Sequence, residues 1–167
     1  MVSELTPAQH SFRAAMASLS AAVNIVTTNG PRGEAGVTVS AVSSVTDSPP
    51  TLLVCVNRSS YTHDVFQHNR HVAINVLASD QEEIAWHFAG RTGLSFEERF
   101  ALPIWDRDHN GVPLLKEAAA RVSGTIVDET SRGSHSVFFV EVDTAESRDD
   151  RGGLAYFQRN FHALSVA

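Results

Sequence analysis

Three short runs decide the class of this chain: Ala22–Thr28 (AVNIVTT), Thr51–Asn57 (TLLVCVN) and Val72–Leu77 (VAINVL). Each is apolar, rich in β-branched residues and too short for a buried helix, so each reads as a strand. Ala120–Glu129 and His135–Val142 flank the turn-like segment Thr130–Ser134 and predict a hairpin, and Leu154–Phe157 starts a last strand. Helical signals are fewer. Thr6-Pro7 reads as an N-cap followed by proline at the first helical position, with Phe12, Met16 and Leu19 on one apolar face. Ser79-Asp80-Gln81-Glu82 reads as a capping box, with Ile84, Ala85 and Phe88 following on one face and Gly90 as the stop. Residues 62–69, with Val65 and Phe66 inward, and Ser95–Phe100 predict shorter helical pieces. Regular βαβ alternation is missing. The expected fold class is therefore mostly β, an antiparallel barrel or sandwich with a few flanking helices.

The 167 residues suit one domain over positions 1–167. A formal charge of −6 gives no general attraction for phosphate backbones, so nucleic acid is not the expected partner. The single cysteine, Cys55, makes no internal disulfide and no multi-cysteine zinc site. The N-terminus has no basic start followed by an apolar stretch, and no run approaches 18 apolar residues. The expectation is a cytoplasmic protein without a membrane partner.

The stretch Gly36–Thr46 (GVTVSAVSSVT) carries the most chemistry. Read with period two as one strand, Val37, Val39, Ala41 and Val45 point one way, and Thr38, Ser40, Ser44 and Thr46 the other, with Val42 among them. Pattern alone suits a strand with one solvated face. The sharper reading, which pattern alone favours less, is a ligand face, where short hydroxyl side chains let a flat ring approach the backbone. Asn57-Arg58-Ser59-Ser60-Tyr61-Thr62 follows a buried strand and starts a short helix; its hydroxyls and guanidinium suit a phosphate, or merely cap a loop. His63, His68 and His71 are close in sequence but have no accompanying carboxylate or thiol set, so no metal site is expected. No G-x-G-x-x-G follows a strand, and neither a G-x-x-x-x-G-K-[ST] loop nor a G-x-S-x-G elbow is present. Pyridine nucleotide, if used, must bind outside a Rossmann domain.

Taken together, the strings Phe12–Thr28, Gly36–Asn57, Ala73–Leu77 (AINVL), His87–Phe100 (HFAGRTGLSFEERF), Gly133-Ser134-His135 and Leu154–Phe161 (LAYFQRNF) resemble the flavin reductase-like family with an FMN-binding split barrel. Within it they are similar to the reductase components of two-component monooxygenases of the 4-hydroxyphenylacetate 3-monooxygenase type. The resemblance implies an antiparallel, Greek-key split β-barrel and a homodimer with flavin in a groove at or near the subunit interface. It implies that Thr38, Val39, Ser40 and Ala41 line the isoalloxazine ring, and that Ser44, Val45 and Thr46 continue toward the ribityl chain. Asn57, Ser59, Ser60 and Thr62 would hold the ribityl and phosphate end, and Ala89, Gly90 and Arg91 would close the flavin tail. His135 matches the family's glycine-x-histidine motif on the nicotinamide side, with Tyr156 nearby. Tyr61 departs from the family, which often has a small residue there.

The activity implied is reduction of FMN or FAD by NADH, or by NADPH, with release of reduced flavin to a separate flavin-dependent monooxygenase. His135 is then the one candidate catalytic side chain; the cofactor carries the chemistry and the protein supplies orientation. A non-catalytic flavin- or haem-binding barrel is the alternative, since fold does not fix activity. An oxidase with a tightly bound flavin ranks below both. The residues do not separate FMN from FAD or NADH from NADPH; Arg32, Arg58 and Arg91 are equally surface arginines and contacts for a 2′-phosphate.

Overall fold

The computed structural model describes residues 4–166. In chain order the elements are α1 (Pro7–Met16), β1 (Ala21–Ala22), β2 (Asn24–Thr28), β3 (Ala35–Val39), β4 (Val42–Asp47), β5 (Pro50–Asn57), α2 (Tyr61–Asn69), β6 (His71–Val76), α3 (Glu82–Phe88), α4 (Phe96–Ala101), β7 (Trp105–Arg107), β8 (Pro113–Leu115), β9 (Ala120–Arg132), β10 (His135–Ser147), β11 (Gly153–Phe157) and β12 (Asn160–Leu164). None of the described helices is long and apolar enough to cross a membrane.

Seven strands form one antiparallel sheet in the order β3-β2-β6-β9-β10-β5-β4. Its two edges are β3 and β4, which are neighbours in sequence, separated only by Ser40 and Ala41. A sheet whose first and last strands share so short a link must curl until its edges meet there. The hydrogen-bonded ladder is nonetheless open: β3 pairs with β2 alone and β4 with β5 alone. A closed barrel is thus more than the ladder shows; a mostly β, curled sheet with a few helices is what it does show.

The inner face follows period two. Leu52, Val54 and Val56 of β5 and Ser136, Phe138 and Val140 of β10 are buried, while their neighbours are less so. The apolar ones meet Val26, Val72, Ile74, Ile126 and Phe66 of α2 in one cluster. Each fully buried side chain of this size contributes roughly 1.5–3 kcal/mol. Gly124 is required here. A Cβ at that position would lie 2.1 Å from the carbonyl oxygen of Glu141, beside the register shift in the β9–β10 pairing.

A second cluster joins Val23, Ile25 and Leu77 to Ala85 and Phe88 of α3, Phe100 of α4, Leu115 and Leu154. Val23 is the corner between sheets: its N–H donates to Leu154 O at 2.9 Å, and its carbonyl accepts from Leu77 N at 3.0 Å. Buried Asn75 satisfies this region. It donates to Ile25 O at 3.0 Å and accepts from Leu115 N at 2.7 Å.

The N-cap at Thr6 is present, with the reciprocal bonds of a capping box to Gln9. Three sequence expectations change. Gly36–Thr46 is not one strand. Val37, Val39 and Val42 all pack on the same cluster, so the apolar phase slips by one residue at Ser40–Ala41, and the chain crosses from one sheet edge to the other. The Ser79 capping box does not form, because Ser79 N–H bonds Gly152 O and Ala78 bridges Gly153. The helix starts instead at Glu82, after Gln81, whose side chain accepts from Ala78 N and donates to Lys116 O. The turn of the β9–β10 hairpin is narrower than residues 130–134: Arg132 pairs with His135, leaving only Gly133 and Ser134.

Candidate functional site

Three cavities converge on Ser40. One of about 290 Å³ is lined by Val37–Ala41, Cys55–Asn57, Ser60 and His135. A second of about 260 Å³ is lined by Val23, Thr38–Ser40, Trp86, Ala89, Arg91, Tyr156 and Phe161. A third of about 650 Å³ runs from Ser40 and Ala41 past Tyr156 and Arg159 to Phe12, Met16 and Leu19. The first two are individually just below the ~300 Å³ at which ligand clefts usually begin, and together fall within that range.

The first wall is set by hydrogen-bonded turns. Asn57 ends β5, and its Oδ1 accepts from Ser59 N and Ser59 Oγ, both at 2.9 Å. Ser60 caps α2, accepting from Thr62 N at 3.2 Å. Asn57 pairs with His135 across the β5–β10 ladder, which brings two sequence-distant segments to one rim. His135 is exposed, with Nδ1 2.9 Å from Ser134 Oγ. Burial pushes the Cys55 thiol pKa up, so this cavity-lining sulfur is a neutral wall group at ordinary pH.

The second wall is aromatic. The β11–β12 hairpin turns through Gln158 and Arg159, both at positive φ, so that Tyr156 pairs with Phe161. Phe161 lies 4.8 Å from Trp86 and 5.5 Å from Tyr156 between ring centroids. After α3, Gly90 at φ 72° turns the chain back, and Arg91 N–H donates to Trp86 O at 3.1 Å. Thr38 ties this wall to β3 by donating Oγ–H to Ala85 O at 2.7 Å.

Of the residues expected from sequence, Thr38, Val39, Ser40, Ala41, Asn57, Ser60, Ala89, Arg91, Tyr156 and His135 line these cavities. Gly90 shapes the turn without lining any of these three, and Ser59 faces a separate opening beside His63. Thr62 is buried and meets Ser60, so it supports that residue from behind. Ser44, Val45 and Thr46 are exposed on the outer strand β4 and line none of these cavities. The three histidines diverge. His63 turns to Ser136, His68 to Asp64 O, and His71 to Thr125. Sequence reasoning missed Trp86, Phe161 and Cys55. A tryptophan on the outer face of α3, next to Ala89 and Arg91, was the readable sign; Phe161 arrives only through the hairpin fold.

The flavin reductase-like domain model matches residues 16–165. The chain is 47% identical over 163 residues to the 4-hydroxyphenylacetate 3-monooxygenase reductase component of Pseudomonas aeruginosa, covering 98% of this chain and 96% of that one. It is 44% identical over 159 residues to the FMN reductase (NADH) RutF of Enterobacter cloacae, covering 95% and 96%. Among solved structures it resembles the NADH:FAD oxidoreductase SgcE6 of Streptomyces globisporus, with TM-score 0.87, 26% identity and 99% of both chains covered.

Proposed function

This chain belongs to the flavin reductase-like family, and we propose that it is a single-domain NADH-dependent flavin reductase handing reduced FMN or FAD to a separate flavin-dependent monooxygenase. The observation that carries the reading is the convergence of small-walled cavities on Ser40, between a polar wall ending in His135 and an aromatic wall ending in Arg91. In the finer reading the curled sheet is a split barrel whose seam is Ser40–Ala41.

The residues present fit a flavin. Ser40, Ala41 and Ala89 are too small to keep a flat ring off the backbone. The edge strand β3 has a ladder partner on one side only, so its outward N–H and C=O groups are available to ring heteroatoms. Bound flavin supplies the two-electron acceptor for the dihydronicotinamide. The protein's share is orientation. Asn57 and Ser60 hold the polar chain, Thr38–Ala41 seat the ring, and His135 borders the face where the nicotinamide stacks, with Tyr156 nearby. A His135 ring N–H and nearby backbone amides would steady negative charge developing on the ring edge.

A second copy of the chain belongs to this reading. Phe12, Met16 and Leu19 are exposed along the 650 Å³ cavity that ends at Ser40, and α1 buries no residue of its own. Ser44–Thr46 lie open on β4, so in a homodimer the partner would bring them to a flavin that one protomer alone does not. Steady-state assays crossing NADH and NADPH with riboflavin, FMN and FAD test the function. Oxidation of NADH with at least one flavin is expected. Flavin retained through dialysis with no nucleotide oxidised would overturn catalysis in favour of simple binding.

A further inference from the structure

His135 stands where a strand is weakest, directly after the two-residue turn Gly133–Ser134 at the tip of a hairpin. Such tips fray unless tied down. Two sets of bonds tie this one, and both draw on the segment 57–67. Above, Arg58 grips the turn: its backbone N–H donates to Ser134 O at 2.9 Å and its Nη1 to Gly133 O at 3.3 Å. Below, buried Ser136 donates its Oγ–H to Glu129 Oε1 at 2.6 Å and stands 2.8 Å from His63 Nε2. His63 Nε2 also lies 3.3 Å from the same carboxylate oxygen, and Gln67 donates to the other at 2.8 Å. With the only Ser136 proton given to Glu129, His63 Nε2 is the donor to Ser136. The His63 ring rests against Phe138, 5.2 Å between centroids.

A serine, a histidine and a glutamate together invite a nucleophilic reading, which the geometry refuses. Both partners sit on the same ring nitrogen, whereas a relay needs them on opposite nitrogens, and Ser136 is wholly enclosed. What the trio does accomplish is register. Side chains alternate along β10, so a Ser136 held inward obliges His135 to face outward, and a one-residue slip would exchange them. Apolar packing does not close this side: an opening of about 670 Å³ lined by Arg58, Asp64, Gln67, Glu129 and Ser131 reaches the network.

We propose that His63, Glu129 and Ser136 are positioning residues that hold His135 over the Ser40 cavity and, together with Arg58, join it mechanically to the segment that starts α2. The inference rests on His135 having the role given above. It follows that seating a ligand on Asn57 and Ser60 also steadies His135.

The test compares His63→Leu, which fills the space without a donor, with His63→Gln, which restores a side-chain N–H. In flavin-free protein, amide hydrogen exchange over residues 131–136 should quicken about tenfold in His63→Leu, the worth of one lost bond to a charged network, and return toward wild type in His63→Gln. Saturating-NADH stopped-flow should show flavin reduction slowed about tenfold in His63→Leu while the flavin dissociation constant moves less than about threefold. In a His135→Ala background, His63→Leu should slow reduction no further. Ser136→Ala gives the same reading should His63→Leu fold poorly. Unchanged exchange and reduction rates in these variants, multiplicative losses in the double variant, or a normal rate in His135→Ala would each overturn the proposal. A wild type that oxidises no NADH sinks the proposed function instead, and the exchange measurement still decides whether the network holds the tip.

Discussion

The two walls that meet at Ser40 differ in how they are held. On the Asn57–His135 side nearly every polar group is answered by a named partner: Asn57 by Ser59, Ser60 by Thr62, the hairpin turn by Arg58, and Ser136 by Glu129 and His63. On the Trp86–Tyr156 side, three mutually tilted rings, one turn at Gly90 and a single side-chain bond from Thr38 do the work. Directional bonds specify one arrangement, while ring packing tolerates small shifts at little cost. The polar side therefore suits exact placement of a reacting face, and the aromatic side suits a ring that must come and go.

The heaviest blow to this contrast is Ser40→Tyr, because Ser40 belongs to both sides. Forcing a phenol into the junction should weaken flavin binding about ten- to a hundredfold, by an overpacking cost of roughly 1–3 kcal/mol. Fluorescence titration measures it, and unchanged affinity would remove the ring from this junction. His135→Ala follows. If the polar wall sets geometry, single-turnover reduction should fall about tenfold or more while flavin affinity moves little. Trp86→Ala should show the opposite division: a two- to tenfold weaker grip on flavin or nucleotide, from about 0.5–1.5 kcal/mol of lost aromatic contact, with the reduction rate of the saturated complex largely kept. Equal effects on rate and affinity in both variants would erase the distinction.

The smallest effect belongs to pH. Burial favours the neutral acid of Glu129, but bonds from Gln67 and Ser136 and the imidazole of His63 outweigh it and hold the carboxyl below its ordinary value. A depressed carboxyl stabilises the fold above its unfolded pKa and ceases to as pH falls through the folded one. Glu129→Gln should thus lower Tm by about 2–4 °C near neutral pH, the worth of roughly 1 kcal/mol. The gap to wild type should close in acid, as thermal melts across pH would show.

Much of the polar wall was legible in sequence. Asn57, Ser60 and His135 belong to local signals, a strand end, a helix cap and a turn, and such signals survive without knowledge of distant partners. The aromatic wall was half legible. Ala89, Gly90 and Arg91 follow a helix, and Tyr156 was expected, but Phe161 reaches Trp86 only because Gln158 and Arg159 reverse the chain. The break at Ser40–Ala41 escaped period-two reading because both strands feed the same core from opposite ends of the sheet. The capping signal at Ser79 failed for a similar reason, since β11 captures that backbone first. His63 read as one of three neighbouring imidazoles, yet its partners come from the far hairpin.

The link Ser40–Ala41 is the clasp of a bracelet as well as the floor of the cleft. Cargo seated on a clasp braces the whole band, not one bead of it. Loading and unloading the pigment should accordingly register as a change in the heat tolerance of the entire molecule, and each departure should leave the band briefly slack.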